Sequence, residues 1–197
     1  MDNLLYRLGR RLFKFFFFIF HRRKIYGLEN VPESGPVIIM ANHISYLDPP
    51  LIGSILDRQV FFIAKKELFK NKLFEWVFDN LGVIPIKRGK ADLGAIRSAF
   101  KVLRSEQVLG IFPEGTRHEP DDMGQAQPGS VTIAIKSQAP IVPIGIKDIS
   151  GLQKTKVSVG KPFKLEQFFD KKINKDVKKE AGQIIMAKIK DEIKKIT

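Results

Sequence analysis

Residues 42–48 read Asn-His-Ile-Ser-Tyr-Leu-Asp, so an imidazole, His43, stands five positions before a carboxylate, Asp48, and directly after the apolar run 37–41. An unperturbed imidazole titrates near about pH 6.5 and can take the proton of a hydroxyl as that hydroxyl attacks a carbonyl. A carboxylate behind it would hold its tautomer and stabilise the imidazolium. Five positions do not place two side chains on one helix face, but a strand-end histidine and a helix-start aspartate can meet across a tight turn. The plainer alternative is that Asp48 caps a helix and His43 is a turn residue.

A second polar cluster, Phe112-Pro113-Glu114-Gly115-Thr116-Arg117, follows another apolar run. Arg117 offers a guanidinium suited to bidentate contact with a phosphate, Gly115 lets backbone approach a ligand, and Thr116 adds a hydroxyl. Glu114 could hold the arginine or accept a hydrogen bond from a substrate hydroxyl. A surface ion pair is the ordinary alternative for Arg117. Lys65 and Arg88 supply further cations, each just after an apolar run. No metal-ligand spacing and no glycine-rich nucleotide loop occurs.

Short apolar runs at 37–41, 60–64, 83–86, 108–112, 141–146 and 156–159 predict strands, most buried on both faces. Helical patterns fall between them. Asp48 before Pro49-Pro50 reads as an N-cap with proline in the first turn, leading into 51–56. A second short helix covers 73–80, and Asp92 caps a third whose Leu93, Ile96, Ala99, Phe100 and Leu103 recur at helical spacing. A fourth covers 130–137. A terminal helix from Asp176 carries Val177, Ala181, Ile185 and Ile189 along one docked face. Strands alternating with helices predict an α/β domain with a largely parallel sheet, and in such sheets ligands bind at the carboxyl ends of the strands. His43, Lys65, Arg88 and Arg117 all follow such ends.

The chain has 197 residues, 44% of them hydrophobic, enough for one core and a single main domain. Its net charge of +13 favours an anionic partner. The absence of cysteine excludes disulfides, thiolate metal sites and a cysteine nucleophile. Residues 12–20, Leu-Phe-Lys-Phe-Phe-Phe-Phe-Ile-Phe, are apolar apart from Lys14, and Arg7, Arg10, Arg11, Arg22, Arg23 and Lys24 surround them. The run is shorter than the roughly 20 apolar residues that cross a bilayer, and it lacks the small residues of a cleaved signal. Such a segment suits an anionic membrane interface. Residues 1–24 are therefore expected to be a monotopic anchor on the cytoplasmic face of a bacterial membrane, and residues 25–197 the catalytic domain. An ordinary core helix is the alternative for the anchor. A nucleic-acid partner is not expected, because no recognition helix or aromatic-basic ribbon stands out.

On these residues the chain resembles the glycerolipid acyltransferases of the 1-acylglycerol-3-phosphate (lysophosphatidic acid) acyltransferase type. Four family blocks occur in order: Asn42 and His43 through Asp48, Gly82 through Arg88, Phe112 through Arg117, and Ala139-Pro140-Ile141-Val142-Pro143-Ile144. The resemblance implies transfer of an acyl chain from a thioester, on coenzyme A or acyl carrier protein, to the free hydroxyl of a lysophospholipid. It implies no further cofactor. His43 would be the general base and Asp48 its orienting partner. Glu114, Gly115, Thr116 and Arg117, with Arg88 and Lys65, would bind the phosphoglycerol part of the acceptor. The chain departs from the family at His118, where serine is usual, and at Gln127-Pro128-Gly129, where a lysine-glycine step is usual. An acceptor other than lysophosphatidate, such as glycerol 3-phosphate or a lyso-aminolipid, therefore stays open. So does a catalytically silent lipid-binding protein of this fold.

Overall fold

A computed structural model describes residues 4–20, 22–87, 92–119, 122–149 and 154–197. Backbone polar groups inside apolar runs this short are satisfied by pairing with neighbouring strands. The result is one sheet of β1 (Lys24–Tyr26), β2 (Val37–Ala41), β3 (Val60–Lys65), β4 (Ile84–Ile86), β5 (Val108–Ile111), β6 (Ile141–Lys147) and β7 (Lys156–Val159). Its order is β1-β7-β6-β2-β5-β3-β4. Strands β2 to β6 are mutually parallel, β7 runs antiparallel to β6, and β1 is parallel to β7. Every residue of β2 and β5 is buried, as their continuous apolar sequences predict. The six expected strands are present. β1 was not expected, because three residues at a sheet edge carry no readable alternation.

The helices are α1 (Leu4–Phe20), α2 (Asp48–Ile55), α3 (Lys72–Leu81), α4 (Leu93–Arg104), α5 (Pro128–Ser137) and α6 (Lys175–Lys194). Side chains of β2 alternate between two cores. Val37, Ile39 and Ala41 pack with Phe17 of α1 and with Leu51, Ile52 and Ile55 of α2. Ile38 and Met40 pack with Ala95, Ala99 and Leu103 of α4, with α5, and with Ala181, Ile185 and Ile189 of α6. Right-handed crossovers explain the division. Connections from β2 to β3 and from β3 to β4 run one way along the sheet, and those from β4 to β5 and from β5 to β6 run the other. α3 accordingly shares a face with α1 and α2.

The chain order turns back between neighbours β2 and β5. The segments after them leave on opposite faces of the sheet, which opens a crevice at their carboxyl ends. α6 closes the other face directly over β6, where any side chain at Gly145 would meet backbone atoms of Ile193 and Glu192 at 2.6 and 2.7 Å. Ser158 Oγ in β7 also donates to the buried Glu192 carboxylate at 2.6 Å. Asp92 caps α4 as predicted, accepting from Ala95 N at 3.1 Å and also from Lys87 N at 2.8 Å. These backbone donors hold its carboxyl below the ordinary carboxylate range.

α1 lies against α2. Phe17 is buried, Tyr6 Oη accepts from Val60 N at 3.0 Å, and Arg10 pairs with Asp57. Burial pushes the Tyr6 phenol above its ordinary pKa. Among the described residues no helix is long and apolar enough to cross a membrane.

Candidate active site

The end of β2 runs into Asn42, whose side chain behaves like a further strand residue. Its Nδ2 donates to Ile146 O at 2.9 Å and its Oδ1 accepts from Ile146 N at 2.8 Å. The chain then turns, and His43 sits half-buried at the crevice. Asn42→Ala would leave two buried backbone groups of β6 without partners and should cost about 2–3 kcal/mol of stability. Urea unfolding checks this, and an unchanged midpoint would show that the clasp contributes nothing.

Asp48 is fully buried, and one of its oxygens, Oδ2, lies 2.7 Å from His43 Nδ1. The same oxygen accepts from Ile44 N and Ser45 N, each at 2.8 Å. An atom already receiving two backbone N–H groups acts as an acceptor toward the ring. Nδ1 therefore carries the proton, and Nε2 presents its lone pair to the crevice. Asp48 Oδ1 is buried with no hydrogen-bond partner among the described residues. The expectation of Asp48 as N-cap is corrected: α2 begins at Asp48, and Leu47 occupies the cap position without a side-chain hydrogen bond. Pro49 and Pro50 offer no N–H and the Leu51 N–H is taken by Leu47 O at 2.9 Å, so the carboxylate is free to turn back to the loop.

Two aromatic rings support the imidazole. His43 stacks on Phe112 with centroids 4.2 Å apart, and Phe112 stacks on Phe62 at 5.8 Å. Phe62 in turn lies over Gly110, the one residue of β5 without a side chain, where an added Cβ would strike its ring.

The block after β5 divides by depth. Glu114 is buried, and its carboxylate accepts from His43 N at 3.0 Å and from Gly124 N at 2.8 Å. Its side chain is 1% exposed, and among the described residues it forms no ion pair with Arg117. It ties together two loops instead. His118 N donates to His43 O at 2.9 Å, a further tie between the same segments. Gly115 has φ of 71°, a left-handed conformation that suits glycine, and Gln127 packs against it. Gln127 Nε2 also donates to Glu114 O at 3.2 Å.

Thr116 and Arg117 are exposed at the mouth, and the Arg117 guanidinium carbon stands 3.4 Å from the centroid of the Tyr46 ring. Lys65, at the end of β3, is exposed on the same sheet edge. Arg88 lies outside the described residues. Among the described residues no group of three or more histidine, aspartate or glutamate side chains is placed to hold a metal ion. Sequence reasoning gave no role to Asn42, Tyr46, Phe62 or Phe112. Only Phe112, an aromatic residue directly after the aliphatic strand β5, carried a local signal.

The acyltransferase family model matches residues 22–147, which contain the whole of this crevice. A 1-acyl-sn-glycerol-3-phosphate acyltransferase of Bacillus subtilis is 32% identical over 152 residues, covering 74% of this chain and 75% of its own. One from Borreliella burgdorferi is 34% identical over 120 residues, covering 60% of this chain, and the match spans 48% of that relative's length. The crystal structure of a 1-acyl-sn-glycerophosphate acyltransferase from Thermotoga maritima superimposes with a TM-score of 0.71 at 25% identity, covering 95% of this chain and 77% of that one. The chain belongs to the acyltransferase family that includes the 1-acyl-sn-glycerol-3-phosphate acyltransferases.

Proposed function

We propose that this protein transfers an acyl chain from a thioester, on coenzyme A or acyl carrier protein, to the free hydroxyl of 1-acylglycerol 3-phosphate, giving phosphatidic acid. What carries the reading is the 2.7 Å contact from His43 Nδ1 to a buried Asp48 oxygen that already accepts two backbone N–H groups. That contact leaves Nε2 as a base. Nε2 takes the hydroxyl proton as the oxygen attacks the thioester carbonyl. The tetrahedral intermediate then collapses, the C–S bond breaks, and the departing sulfur recovers the proton from the imidazolium. No acyl-enzyme forms. Asp48 stabilises the transient cation, and the Phe112 ring holds the imidazole plane.

Arg117 and Thr116 at the mouth, with Lys65 and Arg88, are the groups proposed to bind the phosphate of the acceptor. What supports Arg117 is an exposed guanidinium stacked on Tyr46, with no carboxylate partner among the described ion pairs. Residues 1–24 are proposed to anchor the enzyme at a membrane surface, on the cytoplasmic side. Their aromatic row and basic flanks support this.

Labelled acyl transfer from both thioester carriers to a panel of acceptors tests the proposal. The expected result is the highest kcat/KM for 1-acylglycerol 3-phosphate. Transfer only to acceptors lacking a phosphate would overturn the assignment. A different acceptor head group is the second reading. His118, next to Arg117 in the chain with its Nε2 3.8 Å from the Glu114 carboxylate, supports it.

A further inference from the structure

α3 breaks the rule that its neighbours obey. Its sequence, Lys-Leu-Phe-Glu-Trp-Val-Phe-Asp-Asn-Leu, is apolar at six of ten positions, yet none of its residues is buried. Leu73 is 66% exposed, Phe74 54% and Trp76 57%. α4 buries Ala95, Ala99 and Leu103, though Leu93 at its start is 62% exposed, and α6 buries Ala181, Ile185, Met186 and Ile189, as surface helices ordinarily do. Large aromatic and aliphatic side chains grouped in water mark a contact surface.

The face continues onto α1. The two helices touch on the same side of the sheet. α1 turns outward Leu4, Leu8, Leu12, Phe15 and Ile19, spaced four, four, three and four apart, which is one row along a helix. Arg7, Arg11 and Lys14 stand exposed beside that row. On α3 and the turn before it Lys65, Lys66, Lys70 and Lys72 are nearly offset by Glu67, Glu75 and Asp79. Insertion of α3 would therefore be driven by its apolar side chains, while α1 supplies the attraction to anionic head groups. A second copy of the chain fits this face less well, because self-pairing would bring Arg7, Arg11 and Lys14 of both copies together.

We propose that α3 is a second membrane-inserting element, seated with α1 in an anionic lipid bilayer, and that it holds the mouth of the active site at the lipid surface. This rests on the proposal that α1 anchors the protein. The direction of α3 supplies the consequence. It follows the carboxyl end of β3, where Lys65 stands, and it returns to the amino end, where Leu81 O accepts from Gln59 Nε2 and Gly82 faces the Phe61 ring. Its amino-terminal half, with Leu73, Phe74 and Trp76, is thus the part nearest the edge that carries His43 and Arg117. A lysolipid would enter that crevice sideways from the bilayer, its chain still among lipid tails.

The chain has a single tryptophan, Trp76, which makes the test direct. The full-length protein is mixed with vesicles of phosphatidylglycerol and phosphatidylethanolamine, with and without bromine on the upper acyl carbons. The expected result is a blue-shifted Trp76 emission, quenching by the brominated lipid and protection from acrylamide. A paired variant, Leu73→Ser with Phe74→Ser, should lower vesicle affinity by about tenfold or more. It should keep its rate on a water-soluble short-chain acceptor, which also reports that it folds. Protein that sediments with vesicles while Trp76 stays quenchable by acrylamide only would overturn the role of α3 and leave the α1 anchor standing. Protein that does not sediment at all would overturn both. A blue shift that depends on protein concentration without lipid would assign the face to self-association and overturn the proposal.

Discussion

Replacing His43 with alanine is expected to lower acyl transfer about 10²–10⁴-fold, the usual contribution of a positioned general base. Binding to vesicles should be unaffected, since His43 is half-buried and belongs to neither α1 nor α3. Asp48→Asn separates charge from geometry at the same site. All three N–H groups at Asp48 converge on Oδ2, so an amide with its oxygen there can keep His43, Ile44 and Ser45 in place. Its nitrogen then falls at the buried, unpartnered Oδ1 position. The variant should fold less stably, retain the imidazole orientation and lose the stabilisation of the imidazolium, so that kcat falls while KM for the acceptor holds. Turnover within a few-fold of the parent in His43→Ala would remove the base assignment, and with it the reason for a buried aspartate.

Glu114→Ala should destabilise the fold by about 3–6 kcal/mol, because two hydrogen bonds to a charged group contribute roughly 1.5–3 kcal/mol each. Both lost bonds serve the site: His43 N and Gly124 N, each part-buried, would lose their acceptor. Glu114→Gln is the milder partner, since it keeps one acceptor oxygen and turns an NH₂ toward the other backbone donor. If Glu114 only positions the loops, Glu114→Gln will lower kcat and stability together and spare the acceptor KM. A raised acceptor KM with parental stability would instead mean that the carboxylate meets the substrate, contrary to its burial. Thermal melts and acceptor titrations on the same two variants distinguish the outcomes.

Much of this architecture was legible from residue order. Runs of valine, isoleucine and leucine of four to seven residues specify buried strands. The placement of His43 after β2 and of Glu114 to Arg117 after β5 put both blocks on one sheet edge, because parallel strands share their carboxyl ends. Asp92, three residues before the N–H of Ala95, announced the start of α4. These are local signals, written within one turn or one strand.

What residue order could not convey depended on partners far away in the chain. Nothing near Glu114 in the sequence announces that its carboxylate accepts from His43 N, 71 residues upstream. For Asp48 the spacing offered both a partner for His43 and a helix cap, and only the turn that brings Oδ2 back to the imidazole decided between them. β1 exists only because β7 presents an edge to it, and the exposure of α3 follows from where the sheet ends. Periodicity says that a face is apolar, but the packing of other elements decides whether anything covers it. The residue types and spacing thus specified the strands and the chemistry on offer, and only the tertiary contacts decided which carboxylates are buried as supports and which apolar face is left for a lipid surface.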